Sequence, residues 1–288
     1  MEKYFAEHAA HQARCCAEFF RDRYGIKGST SLGLVLGTGW GDALTLDDER
    51  SLPLSDINGF HGLADLPSHA RRLVYGLHAG KPVIALRGRV HMNEAFSTPR
   101  APHMVRLQIE MLIALGVRDL VLTAAVGSLD ERIMVGDVVI VNGLVTLFAP
   151  PRPLHTGEFC SPEDVLDRQW RDAAGKVAET VGLRSHAGAH AMVSGPDFES
   201  RRHDKKLLGM CGASVIGMSI LPELAVFAAT CSDPKRRALA VTFVTNTASE
   251  QHSHEVHQAR ARESGAKLGA FLSGIIKGVG TETETAKP

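Results

Sequence analysis

Short apolar runs alternate with stretches of helical spacing along most of this chain, and each run ends in a glycine-bearing or polar loop. LGLVLG at 32–37, DLVLTAAVGSL at 119–129, GDVVIVNGLV at 136–145, HAGAHAMVSGP at 186–196, ASVIGMS at 213–219 and RRALAVTFVTNTAS at 236–249 read as strands. RRLVYGLHAGKPVIALRGRV at 71–90 reads as a hairpin whose turn lies at Ala79 to Lys81. Between these come helical patterns: an amphipathic N-terminal stretch, residues 100–116 with Met104, Leu107, Met111 and Leu115, a segment closed by Gly182, PELAVFAAT with Pro222 in its first turn, and 255–277. The alternation predicts an α/β fold: a single domain over residues 1–278 with a mixed central β-sheet flanked by α-helices, and a polar, disordered tail at 279–288.

Lys plus Arg and Asp plus Glu both number 32, so the chain has no electrostatic bias toward nucleic acid or an anionic membrane, and neither is expected as a partner. No run approaches the length of a membrane helix, and the charged N-terminus lacks a signal-peptide core. Cys15, Cys16, Cys160, Cys211 and Cys231 are odd in number and form no C-x-x-C pair, which predicts reduced thiols and a cytoplasmic location. The histidines show no metal-binding spacing, so no metal is expected.

In open α/β sheets ligands sit beyond the carboxyl ends of strands. After the first strand comes GTGWG at 37–41, which lacks the Gly-Lys-Ser/Thr of a P-loop and the G-x-G-x-x-G of a dinucleotide loop. Its glycines and Thr38 suit either an anion cradle or a tight turn. GRVHMNEAF crowds Arg89, His91 and Glu94 together: Arg is built for forked contacts with phosphate, His for a second donor, and the alternative is a solvated Arg–Glu loop. Gly127 ends a strand. Phe198 and Glu199 in VSGPDFES suit a flat ring and its N–H groups, or else precede a helix capped by Asp197 or Ser200. Ser219 reads as an N-cap, and Thr245 and Asn246 close a long apolar strand where a buried asparagine needs a hydrogen-bond partner. His69 stands alone before a strand.

The ordered series G-T-G-W-G, P-S-H-A-R-R-L-V-Y-G, G-R-V-H-M-N-E, T-A-A-V-G-S-L, S-G-P-D-F-E-S, G-M-S-I-L-P-E and V-T-N, running from about Leu32 to the closing helix, resembles the trimeric purine nucleoside phosphorylases, a family that includes the methylthioadenosine phosphorylases. The resemblance implies the nucleoside phosphorylase fold, a homotrimer, and phosphorolysis of inosine and guanosine first, and of xanthosine after them, to free purine and ribose 1-phosphate. It implies no cofactor, inorganic phosphate being a co-substrate. It assigns phosphate to Thr38, His69, Arg89, His91, Ala125 and Ser219, and the purine to Phe198, Glu199 and Asn246. It assigns the ribose to Asn93, Met218 and His254, and catalysis to Asn246, His91, Glu94 and His254. Within the family an asparagine at position 246 accompanies 6-oxopurines and an aspartate 6-aminopurines.

Several positions depart from the pattern. Thr38 replaces a serine, Trp40 a leucine, Asn93 a tyrosine near the ribose, and Ala124 an asparagine. In QHSHEVH the histidine that meets the ribose falls on His254, or the position on Ser253, according to a one-residue shift. Phe159 is the candidate for the phenylalanine lent by a neighbouring subunit. Because the changes gather on the sugar side, two alternatives stay open: a phosphorylase with a different sugar or base preference, of the methylthioadenosine or methylthioinosine type, and a purine- or nucleoside-binding homologue with little turnover.

Overall fold

The computed structural model describes residues 2–63, 70–96, 98–147, 149–155, 158–194, 200, 203–230, 236–247, 249–250, 259–260 and 263–279. The nine strands are β1 (Leu32–Leu36), β2 (Asp47–Pro53), β3 (Arg72–His78), β4 (Lys81–Arg87), β5 (Asp119–Ser128), β6 (Val138–Val145), β7 (Ser185–Met192), β8 (Ala213–Gly217) and β9 (Arg237–Asn246). The main helices are α1 (Glu2–Tyr24), α2 (Ala101–Ala114), α3 (Arg168–Thr180), α4 (Asp204–Met210), α5 (Leu221–Ala229) and α6 (Gly265–Gly278).

The strands form one mixed sheet in the order β2-β3-β4-β1-β5-β8-β7-β6-β9, and β9 pairs back onto β5. Strands β5, β8, β7, β6 and β9 thereby close into a ring. Parallel pairings join β1 to β4 and β5, β5 to β9, β6 to β7, and β7 to β8. Antiparallel ones join β2 to β3, β3 to β4, β5 to β8, and β6 to β9. The expected mixed α/β architecture is the one observed.

Helices cover both faces because the central strands are apolar on both. In β1, Val35 enters a core shared with Phe20 of α1, Met104, Leu107 and Met111 of α2, and Leu224 of α5. Its neighbours Leu34 and Leu36 enter the opposite core, with Trp170 of α3 and Leu268, Phe271 and Leu272 of α6. The α1 stripe Ala9, Ala13, Cys16, Ala17 and Phe20 follows the helical repeat and is buried throughout. The hairpin turn has Ala79 at φ 50° and Gly80 at φ 77°, the pair of positive angles that matches strand twist. The last helix is described as a continuous element only from Gly265, and the tail from 280 lies outside the described residues.

Strand β2 is not foreshadowed in the sequence: its first four residues, Asp47 to Arg50, are exposed, and an edge strand facing water needs no apolar alternation.

Helix α6 reaches the loop that follows β1. A Cβ on Gly269 would fall 2.1 Å from the Ala43 carbonyl oxygen, so helix and loop meet backbone to backbone. Trp40 reinforces the seam, its ring 6.3 Å from that of Phe271. Gly269→Ala should therefore lower stability by about 1–3 kcal/mol despite alanine's better helix propensity. Denaturant unfolding of the two proteins checks this; an unchanged midpoint would show that the seam opens at little cost.

Candidate active site

The carboxyl ends of β1, β4 and β5 lie side by side, and the side chain of Arg89 knits them together. Arg89 follows β4 after Gly88, whose N–H donates to the Leu36 carbonyl at 2.9 Å. Its Nη2 donates to the Val35 carbonyl at 3.3 Å and to the Thr123 carbonyl, and its Nη1 to Glu223 Oε1 at 2.6 Å. Both members of the Arg89–Glu223 pair are at most 2% exposed. Glu223 sits in the first turn of α5, so the pair binds that helix to the strand ends.

The GTGWG loop packs against this pair. A Cβ on Gly37 would lie 2.7 Å from the Thr123 carbonyl oxygen and 3.1 Å from Arg89 Nη2, so only glycine fits. Gly37 N–H donates to Thr123 Oγ1 at 3.1 Å, and the Trp40 indole N–H to the Ala124 carbonyl at 3.3 Å. Thr38 stands half-buried beside them, and Ala125 is half-buried between the buried Ala124 and Val126.

The second cluster follows Arg89 directly. Glu94 accepts the His91 backbone N–H at 2.7 Å, the His91 Nδ1–H at 3.4 Å and Arg71 Nη2 at 2.6 Å. Burial pushes the Glu94 carboxyl up, but the hydrogen bonds from His91 and the charge of Arg71 outweigh it and hold the group below its usual value. An ionised Glu94 fixes the His91 proton on Nδ1, which orients the ring. Arg71 lies in the left-handed region at φ 46°. Asn93 Nδ2 donates to Met218 Sδ at 3.6 Å, which brings two of the residues assigned to the ribose together.

Ser219 follows Met218 in the turn before α5. Its expected role as an N-cap is not borne out: the cap position is Ile220, and no side chain caps this helix. Ile220 is buried at φ 75°, a conformation that costs a β-branched residue about 1–3 kcal/mol and that clusters at functional turns.

At the end of β9, Asn246 pairs with Gly127 of β5. A Cβ on Gly127 would lie 3.0 Å from both Oδ1 and Nδ2 of Asn246, so the amide lies flat across the glycine. Asn246 is 2% exposed, and its Nδ2 has no partner among the described residues. Thr245 Oγ1 donates to the Val126 carbonyl at 3.1 Å, and Arg260 Nη1 to the Thr245 carbonyl at 2.7 Å.

One region thus holds a guanidinium, a histidine, hydroxyls and a glycine loop, with a buried amide donor beyond them. That set suits a small oxyanion beside a ligand read by an amide. A model of the phosphorylase superfamily matches residues 31–277. The chain belongs to that superfamily. Among its relatives, purine nucleoside phosphorylase 1 of Bacillus subtilis is 26% identical over 263 residues, covering 89% of this chain and 93% of the relative. Of the solved structures, Schistosoma mansoni purine nucleoside phosphorylase in complex with inosine is 25% identical with a TM-score of 0.79, covering 93% of this chain and 96% of that one. Isoform 2 from the same organism, in complex with cytosine and ribose-1-phosphate, shares the fold at a TM-score of 0.80 and 23% identity, covering 94% and 97%. As a member of this superfamily the chain is an enzyme.

In this phosphorylase Thr38, Arg89, His91, Asn93, Glu94, Ala125, Met218, Ser219 and Asn246 all occupy the strand-end region. His69, Phe198, Glu199 and His254 lie outside the described residues. Sequence reasoning passed over three residues. Glu223 was signalled only by its place after Pro222, and Arg71 only as one of two adjacent arginines. His190 of β7 gave no signal, since a lone histidine in a strand reads as surface.

His190 is fully buried, and neither ring nitrogen has a partner among the described residues. Its Nε2 lies 3.0 Å from where a Gly217 Cβ would stand, just before Met218 and Ser219. Burial, aided by the charge of Arg89, pulls its pKa down from 6.5 to about 4. The unfolded chain takes up this proton below pH 6.5 while the folded chain resists until about pH 4, so His190 makes stability fall as pH drops through that window. His190→Gln should flatten this loss, which denaturant unfolding at several pH values checks; equal acid sensitivity in both proteins would show that His190 carries its proton in the folded state.

Proposed function

We propose that this phosphorylase cleaves purine nucleosides with inorganic phosphate, releasing the free base and ribose 1-phosphate, and that its bases are 6-oxopurines: inosine and guanosine first, then xanthosine. The observation that carries this reading is the buried Asn246 amide, whose Nδ2 has no partner among the described residues and stands at the same strand ends as the Arg89 and His91 clusters. A buried donor left unmade is costly, and a ligand acceptor satisfies it.

In the proposed reaction a phosphate oxygen forms a bond to C1′ while the bond from C1′ to purine N9 breaks. Positive charge gathers on the sugar, and the bonding pair leaves with the purine. Thr38, Arg89, His91, Ala125 and Ser219 would hold the phosphate, with His69 completing the set. Glu94 would keep the His91 ring turned toward the anion. Asn246 would donate to purine N7 as negative charge builds there, an interaction stronger in the transition state than in the ground state. Phe198 would pack on the base, and Glu199 would accept from the N1–H that a 6-oxopurine carries and adenine lacks. Asn93, Met218 and His254 would line the ribose. No cofactor enters this scheme.

The contact between Asn93 and Met218 supports a second reading, a phosphorylase for a nucleoside with an altered sugar, because it changes the sugar side alone. A cytoplasmic homotrimer completes the proposal. The loop at 158–159 supports a subunit contact there: Arg106 grips Glu158 through two bonds of 2.6 and 2.9 Å, and the neighbouring Phe159 is 96% exposed.

Incubation with inosine, with and without phosphate, tests the reading. Release of hypoxanthine that depends on phosphate is expected. Release without phosphate would make the protein a hydrolase, and binding without release a nucleoside-binding homologue. Asn246→Ala should reduce kcat for inosine about 100-fold or more while the protein stays folded; undiminished turnover would remove the leaving-group role from Asn246.

A further inference from the structure

One buried lysine links the end of β9, which carries Asn246, to Ser200, the described residue that follows Glu199 in the sequence. Lys205 stands in the first turn of α4 and is 5% exposed. Its Nζ donates to the Thr247 carbonyl at 3.1 Å, directly after Asn246. Its backbone N–H donates to the Ser200 carbonyl at 3.1 Å, directly after Glu199 in the chain. Ser200 is itself locked to the helix: its N–H donates to Asp204 Oδ2 at 2.8 Å, and the Asp204 N–H to Ser200 Oγ at 3.1 Å. On the other side the Thr247 N–H donates to Glu250 Oε2 at 2.9 Å, and Arg260 pairs with Glu250 at 3.0 Å.

Lysine is among the residues least often buried, because its ammonium loses more hydration than one hydrogen bond returns. At the first turn of a short surface helix the side chain has an inexpensive route to water. It turns inward instead, and the bond it makes there joins α4 to the end of β9, 42 residues on in sequence. A contact between such distant elements acts on their spacing.

We propose that Lys205 is a positioning residue for base recognition: its buried ammonium sets the distance between Ser200, tied to the start of α4, and the end of β9, and so controls affinity for the purine. The proposal rests on the nucleoside reading given above.

Calorimetric binding of hypoxanthine and of inorganic phosphate, compared between wild type, Lys205→Met and Lys205→Arg, tests it. Lys205→Met should weaken hypoxanthine binding about tenfold or more, the loss of one charge-assisted hydrogen bond, and leave phosphate affinity unchanged. In turnover it should raise KM for inosine more than it lowers kcat. Lys205→Arg, which keeps a cationic donor, should recover most of the loss. If Lys205→Met does not fold, Lys205→Gln carries the same comparison. Unaltered hypoxanthine binding overturns the proposal. So does a proportional loss of phosphate affinity, which would make Lys205 a general structural residue. Wild-type protein that binds hypoxanthine but does not release it from inosine refutes the proposed reaction alone, and the binding comparison still decides the role of Lys205.

Discussion

The buried ion pair between Arg89 and Glu223 is the point on which the rest of the structure turns. Its guanidinium donates to carbonyls of β1 and β5, arises from the end of β4, and meets the first turn of α5. Four elements that are remote in sequence are thereby held at one place. Removing one partner of such a pair leaves the other as an uncompensated buried charge, at about 3–5 kcal/mol. The arrangement is not saturated: among the described residues Arg89 Nε and Glu223 Oε2 have no partner. Buried polar atoms in native proteins are nearly always satisfied, so unmet ones at the strand ends mark where a partner belongs.

The same economy of partners recurs around the strand ends. Among the described residues the Asn93 Oδ1, both His190 nitrogens and the Asn246 Nδ2 are buried and without a partner, and all belong to this region. Strain accompanies them at Ile220 and Arg71, each beside a residue that the site uses. Trp40 works the other way. In this chain the Trp40 indole N–H bonds to the Ala124 carbonyl. The ring thus secures the loop to β5 and fills the space in front of α6.

Much of the fold could be read from residues 32–37, 119–129 and 236–246, because strands buried on both faces are written as unbroken apolar runs. The hairpin turn was legible from Gly80 and its neighbours. Strand β2 was not, since Asp47 to Arg50 lie in water and carry no periodic signal. Ring closure was also hidden: nothing in the composition of β9 states that it will pair with both β5 and β6. Within the site, residues that follow strands stood out, whereas Glu223 and His190 inside regular elements did not. A charged residue in an apolar helix looks like surface until its partner is known, and Lys205 was silent for the same reason.

Closing five strands into a ring has a bearing on how the molecule meets its own copies. Among the described strands, β2 alone is left with an unpaired side. Asp47 and Asp48 are exposed on that border, while Glu49 pairs with Arg87 of β4 at 2.6 Å. A second chain adding itself there as a further strand would have to strip water from the two aspartates and bring like charges together. Any assembly this protein builds is therefore steered toward docking through helices and loops.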